Sequence, residues 1–324
     1  MTLPISVAIP VLNAGPALAA TLAAVAAQRV DREVEVVVCD SGSSDGSVSL
    51  ARESGATVFE IAPADFSHGR TRNLLMSRCR GEYVAFLTQD SVPADERWLH
   101  RLLGGLSLAA DVAIAFGPYR PRPGASPMVA RELTAWFASF APDGAPVIDR
   151  LTSGEGSAQP RWLLGRRGFF TDANGVVSRA AWERVRFRDV PYAEDHILAH
   201  DMLRAGYAKV FVPDAAVVHS HEYSLTDRLR RSFDEARALR EIYGWVEPAS
   251  PRLVARNLWG SVGADRRWQL ADGRRLHDRS CQLKLLADSS AYHVARTAGA
   301  TLGGRAERLP RGLRARLSLE GRPG

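Results

Sequence analysis

VVVCDSGSSDGS, running from Val36 to Ser47, decides how this 324-residue chain folds. Four apolar residues, Val36 to Cys39, stop at a carboxylate, Asp40, and a Gly/Ser turn carrying a second aspartate, Asp45, follows. A short apolar run ending in this way reads as a buried parallel strand. In open α/β sheets the C-terminal ends of such strands are where ligands bind. The Ser/Asp turn supplies the cap of the next helix. Upstream, VAIPVL (7–12) is a similar strand ending at Pro10 and Asn13, and the Ala-rich stretch after it, with Pro16 in its first turn, reads as a helix.

The alternation continues outward. Strands are expected at 4–10, 34–39, 57–61 and 83–87, with helices at 16–28, 44–54 and 69–79 between them. Such a βαβα order predicts a parallel sheet with helices on both faces. Beyond Asp90 come a helix at 95–106, a strand at 112–116, a Pro-rich stretch at 118–127 and a polar Gly/Ser segment, 152–160, that reads as a mobile loop. Residues 193–207 read as a helix and KVFVPDAAVVHSH (209–221) as two short strands. A strongly charged helix over 224–243 opens a C-terminal extension, so the expected domains are 1–225 and a basic, mainly helical 226–324.

Composition is that of a globular protein, 46% hydrophobic and 24% charged. Three scattered cysteines in no metal-ligand spacing fit a reducing, cytoplasmic setting. The N-terminus lacks the basic and apolar parts of a secretory signal, and no apolar run is long enough to cross a bilayer. Charge is placed unevenly. From residue 251 onward there are 15 Arg and Lys against 6 Asp and Glu, a balance of +9, which leaves −3 of the overall +6 for residues 1–250. Such a tail suits anionic lipid headgroups, an acidic partner or nucleic acid, or is a solvated helical face.

Four features fall at the expected C-terminal edge of the sheet: Asp40, FSHGRTRN (66–73), FLTQDS (86–91) and the pair Glu194-Asp195. Arg70, Arg72 and Asn73 open a helix, an arrangement that suits a phosphate or a nucleobase edge. Asp90, just past a strand, is placed to hold a divalent cation against a diphosphate. Glu194 and Asp195 stand on the first turn of a helix, where a carboxylate can act as general base or simply complement the macrodipole. His196 and His200 share a helix face, but Ile197 stands where a zinc-protease helix needs Glu, so both are read as structural. The aromatic residues Trp136, Phe137, Phe140, Trp162, Phe169 and Phe170 divide between core and the lining of a ligand groove without a sequence signal to separate them.

In this wording the chain resembles the family-2 glycosyltransferases of the GT-A fold, and more narrowly bacterial rhamnosyltransferases that use a dTDP-rhamnose donor. The resemblance covers residues 4–225 and rests on segments that occur in the family's order: VAIPVLN, DSGSSDGS, DFSHGRTRN, TQDSVP, FFTDANGVVSRAAWERVRF, PYAEDHILAHDMLRAGY and VVHSHEYSL. It implies an α/β, doubly wound mixed sheet with a C-terminal helical extension. It also implies inverting transfer to a glycan or lipid-linked acceptor in cell-surface polysaccharide synthesis. Asp195 would be the base and Glu194 would orient an acceptor hydroxyl. Pro10, Asn13, Asp40, Ser43, Arg70, Arg72, Asn73, Gln89 and Asp90 would bind the donor.

Where the family carries a DxD metal motif this chain reads Thr88-Gln89-Asp90, so the first aspartate is missing. A Mg²⁺ or Mn²⁺ ion would then take Asp90 with His219 and His221 as its protein ligands. Alternatives are a UDP-hexose or UDP-galactofuranose donor, or a non-catalytic nucleotide-sugar-binding module. The expected partners are a nucleotide sugar, the acceptor, a second copy of the chain and, through the basic helices with Leu253, Leu258, Trp259 and Trp268, the inner membrane face; nucleic acid is not among them.

Overall fold

The computed structural model describes residues 3–151, 165–190, 192–246, 250–271 and 279–319. The polar segment 152–160 and Trp162 lie outside the described residues. The chain divides into two compact units, the first comprising 1–122 and 134–219, the second 123–133 and 220–324. The expected boundary at 225/226 thus falls a few residues late, and part of the Pro-rich stretch groups with the C-terminal unit.

In the first unit β1 (Ile5–Val11), β2 (Val34–Asp40), β3 (Thr57–Glu60) and β4 (Tyr83–Leu87) are parallel, and alternate with α1 (Pro16–Ala26), α2 (Ser47–Glu53) and α3 (His68–Arg78). β1 has β2 on one side and β4 on the other, so the strand order reverses there and opens a crevice at the strands' C-terminal ends. The register Val11↔Asp40 brings the carboxylate that ends β2 beside the last residue of β1.

The far half of the sheet departs from the parallel pattern. With β6 (Val112–Phe116), β8 (Val147–Asp149), β9 (Asn174–Ser178) and β10 (Ala208–Phe211) the full order is β3-β2-β1-β4-β9-β6-β10-β8, and β9 runs antiparallel to both β4 and β6. β9 is only five residues long, with no repeating period to announce it. Its direction has a consequence for the site. Leu87, the last residue of β4, pairs with Asn174, the first of β9, so the chain just before β9 (Thr171, Asp172, Ala173) arrives at the same edge as Asp40.

The core explains why these segments take these forms. Ile5, Val7 and Ile9 of β1, Leu18, Leu22 and Val25 of α1, and Trp98, Leu99, Leu102 and Leu106 of α4 (Trp98–Leu106) join one buried cluster. Each such side chain contributes roughly 1.5–3 kcal/mol. Gly69 in α3 is required by contact: a Cβ there would collide with the carbonyl of Arg188, beyond α6 (Arg179–Arg184). A small second sheet, β5 (Val92–Pro93), β11 (Val217–Val218) and β7 (Tyr119–Arg120), pairs Val218 with Val92, so that Asp90 and His219 flank the same pairing. α7 (Glu194–Arg204) begins after Ala193, a non-glycine residue at φ 60°.

The second unit is helical: α5 (Pro127–Ala138) up to Leu133, α8 (Leu225–Tyr243), α9 (Pro251–Ala271), α10 (Arg279–Gly303) and α11 (Arg311–Leu317). Ser224 caps α8 by accepting from the Asp227 amide at 3.1 Å, and Gly244 at φ 67° ends it. Gly299 and Gly303 let α10 lie against α8, since a Cβ on either would strike the Leu229 or Phe233 carbonyl. Among the described residues no helix is long and apolar enough to cross a membrane.

Candidate active site

The loop after β1 and the turn after β2 are built from each other. Asp40 is buried, and its Oδ1 accepts from the amides of Gly42 (2.9 Å) and Ser43 (2.8 Å). Its Oδ2 is buried with no hydrogen-bond partner among the described residues. Asn13, at φ 48°, accepts from the Ser44 amide at 2.9 Å while its own amide donates to Ser43 Oγ at 2.8 Å. Asp45 accepts from Gly15 and Ser47; the Ser47 hydroxyl in particular holds its carboxyl below the usual range. Pro10 lies in β1 opposite Cys39. Gln89 bridges strand ends, accepting from the Leu12 amide (2.7 Å) and donating to the Leu12 carbonyl (3.1 Å).

Asp90 follows β4 at the crevice. Arg122 Nη2 donates to both its Oδ2 (2.8 Å) and its carbonyl (2.7 Å), and His219 Nδ1 stands 3.5 Å from Oδ1. The His219 ring meets Tyr119 edge-on, with centroids 5.0 Å apart. Thr88, at the position of the missing aspartate, has its hydroxyl 2.6 Å from that of Ser91. His221 lies in the second unit. An oxygen and an imidazole nitrogen at this spacing suit a divalent cation that takes its other ligands from elsewhere.

At the third corner Arg72 is only 4% exposed. It pairs through Nε and Nη2 with Asp172, the latter at 2.8 Å to Oδ1, through Nη1 with Glu194 Oε1 at 3.1 Å, and donates to the His68 carbonyl at 3.2 Å. Arg72 therefore ties α3 to the start of α7 and to the approach to β9. Asp195, next along, is half-buried, and its Oδ1 accepts from the His196 amide at 2.8 Å. Burial, then the negative charge of Asp172, pushes its carboxyl above the usual range against the pull of His196 and Arg72. Asp172 itself is pushed up to about 6, by burial first, with Arg72 opposing and Glu194 adding to the shift. Tyr119, hydrogen-bonded to Thr171, lies within electrostatic reach of Asp195, Asp172 and Asp90, so the three carboxylates belong to one locality.

The other expected donor residues are engaged within the protein. Arg70 is exposed and pairs with Asp189 at 3.2 Å. Asn73 accepts from Trp182 Nε1 (2.8 Å) and the Phe187 amide (3.1 Å) and donates to the Phe187 carbonyl (2.8 Å). Of the aromatic residues, Phe137, Phe140 and Phe170 are core, whereas Trp136 is 39% exposed and packs on half-buried Phe169, whose ring meets His196 beside Asp195.

Asp172 and Arg122 had no sequence signal of their own. Asp172 sits inside the quoted FFTDAN segment before a strand too short to detect, and Arg122 is one of two arginines in a Pro-rich stretch.

Residues 6–184 match the family model described as glycosyl transferase family 2. The O-antigen chain rhamnosyltransferase RfbN of Salmonella typhimurium is 30% identical over 234 residues, 71% of this chain and 70% of that protein. WbaN of Salmonella anatum, also an O-antigen chain rhamnosyltransferase, is 24% identical over 70% of this chain and 69% of its own length. Among solved structures, the mannosyltransferase PcManGT of Pyrobaculum calidifontis, in complex with GDP-Man and Mn²⁺, superposes with a TM-score of 0.58 at 17% identity. That match covers 95% of this chain and 87% of the other. Likeness at that identity speaks for the fold. With the family match spanning more than half of its length, this chain belongs to glycosyl transferase family 2 and has the GT-A fold.

Proposed function

We propose that the chain is an inverting glycosyltransferase that moves L-rhamnose from dTDP-rhamnose to a glycan or lipid-linked acceptor in cell-surface polysaccharide synthesis. The observation that carries the chemistry is Asp195: a half-buried carboxylate of raised basicity, on a helix start fixed by a buried arginine, in the same locality as Asp90. The choice of sugar is supported by the two Salmonella relatives named as rhamnosyltransferases.

In this reading the unpaired Asp40 oxygen accepts from the imide N–H of thymine, and the Asn13–Ser43 turn seats the nucleoside. The acceptor hydroxyl oxygen attacks the anomeric carbon, and the bond from that carbon to the diphosphate oxygen breaks on the opposite side. The hydroxyl proton passes to Asp195, and the diphosphate leaves with the electron pair. Glu194, held by Arg72, keeps the first turn of α7 in place. A divalent cation on Asp90 and His219, with His221 two residues further along the chain, would offset the charge on the departing diphosphate.

Asp195→Asn tests the assignment. dTDP binding should persist while transfer falls by about 10²–10⁴; wild-type turnover in that variant would end the reading. For the donor, dTDP-rhamnose should raise the melting temperature more than UDP-galactofuranose or UDP-hexoses at equal concentration.

We also assign the outer face of α9 to an anionic membrane surface. At 3.6 residues per turn, Arg252, Arg256, Trp259, Arg266, Arg267 and Leu270 fall within an arc of about 100°, and Trp259 is 77% exposed. Leu253, Leu258 and Trp268, expected to share this role, are half-buried. Full-length protein should sediment with phosphatidylglycerol vesicles and Trp259→Ala should weaken this. No sedimentation, together with a dimer that Trp259→Ala dissociates, would assign the face to a second copy instead.

A further inference from the structure

Thr88 leaves the metal end of the crevice with one carboxylate where the motif it resembles has two, and the structure places a cation of the chain's own on the one that remains. Arg122 stands two residues past the end of β7 in the small sheet, and its guanidinium lies on Asp90 through two hydrogen bonds, at 2.8 Å to Oδ2 and 2.7 Å to the carbonyl. The Arg122 side chain is 38% exposed and that of Asp90 16%, so the pair is part-buried with its arginine side reaching solvent.

Charge makes the consequence definite. One carboxylate and one guanidinium sum to zero before any ion arrives, so a divalent cation on Asp90 meets an adjacent positive charge that a pair of aspartates would not present. A diphosphate meets the reverse: a guanidinium held at the crevice by Asp90, a group whose charge and planar shape suit phosphate oxygens.

We propose that Arg122 is a catalytic residue of this chain, a built-in cation that contacts the diphosphate of the donor and supplies part of the charge neutralisation otherwise left to a divalent ion. The proposal rests on the reading of Asp90 as the diphosphate-side residue. It predicts a nucleotide site that tolerates loss of metal, and an Asp90–His219 pair that binds metal more tightly once the arginine is gone.

The test uses the full chain with dTDP and Mn²⁺ as probes, in three variants: Arg122→Met, Arg122→Lys and Asp40→Ala. Calorimetry with EDTA should show wild-type protein binding dTDP, and Arg122→Met binding it about 10- to 100-fold more weakly, the range expected for losing a hydrogen bond to a charged group. Saturating Mn²⁺ should narrow that gap. Mn²⁺ titration without nucleotide, read by electron paramagnetic resonance, should show tighter binding in Arg122→Met than in wild type. Arg122→Lys keeps the charge and should fall between the two, which separates the effect from misfolding.

Equal dTDP affinity of wild type and Arg122→Met in EDTA, or unchanged Mn²⁺ affinity, overturns the proposal. Asp40→Ala separates the levels: it should weaken dTDP equally with and without Mn²⁺. If it leaves dTDP binding untouched, the nucleotide-site reading itself falls, and the role of Arg122 with it.

Discussion

Each unit of the molecule sets an arginine among carboxylates, buried Arg72 in one and half-buried Arg131 in the other, and the two clusters balance their charge differently. In the helical unit Asp265 of α9 is fully buried and accepts from Arg131 Nε, from Ser289 Oγ (2.6 Å) and from His293 Nε2 (2.7 Å). Burial alone would raise its carboxyl, but bonds from His293, Ser289 and Arg131 outweigh burial and hold it below the usual range. In the GT-A unit Arg72 faces Asp172 and Glu194, with Asp195 one residue further on, and there the balance goes the other way: Asp172 and Asp195 are both pushed up. One cluster has donors enough for its acid. The other has more acid than one guanidinium can neutralise, next to a left-handed Ala193. A fully satisfied buried pair is a structural element; surplus acid and backbone strain at a crevice are what a proton-accepting site requires.

The largest break in this contrast should come from Arg72→Met. It leaves Asp172, Glu194 and Asp195 without their shared cation, at a cost of about 3–5 kcal/mol for the stranded buried charge. Transfer by the folded fraction should also fall by about 10²-fold, because the start of α7 loses its tie to α3. Urea melts and turnover per folded molecule measure the two effects separately. A variant with wild-type stability and rate would mean that the cluster does not position Asp195.

Asp265→Asn is the matched substitution in the helical unit. It gives up charge-assisted bonds to Arg131 and His293 worth about 2–3 kcal/mol together, while turnover per folded molecule stays unchanged. Asp172→Asn should cost less stability than Asp265→Asn, since it removes a charge that burial already disfavours. Its effect belongs to the chemistry: without the negative charge of Asp172 the pKa of Asp195 drops, and the acidic limb of the pH–rate profile moves to lower pH. An unmoved limb would separate Asp172 from the base.

Much of this was legible in the sequence. The parallel strands and Asp40 follow from apolar runs stopped by a carboxylate, and the GT-A fold follows from motifs in order. What stayed hidden depends on direction and partnership. β9 is five residues of NGVVS, and only its antiparallel course carries Asp172 to the site. Arg72 reads as a phosphate ligand from its helix-opening position; periodicity does not show that Asp172, a hundred residues on, takes up its guanidinium. Arg70, Asn73 and Gln89 share that limit, since a polar residue at a sheet edge looks the same in sequence whether it faces a ligand or a backbone carbonyl. In the helical unit the charge excess was visible, but not that Asp265 is the acid sealed inside.

The smallest effect sharpens the comparison most, because the clusters should respond to acid with opposite sign. Asp172 has a folded-state pKa of about 6 against 3.8 for the free side chain, so between those values the folded protein holds the extra proton. Stability around β9 and α7 therefore rises as pH falls through that window, by about 1 kcal/mol between pH 6 and pH 5. Asp265 is shifted downward, so its contribution is complete above its unfolded value of 3.8 and is lost as pH falls below it. Hydrogen exchange, corrected for intrinsic rates, should show β9 and α7 better protected at pH 5 than at pH 6, with α9 and α10 unchanged there and less protected near pH 3. Asp172→Asn should erase the first response and Asp265→Asn the second. If both regions lose protection together from pH 6 downward, the surplus of acid around Arg72 is not what sets the GT-A cluster apart.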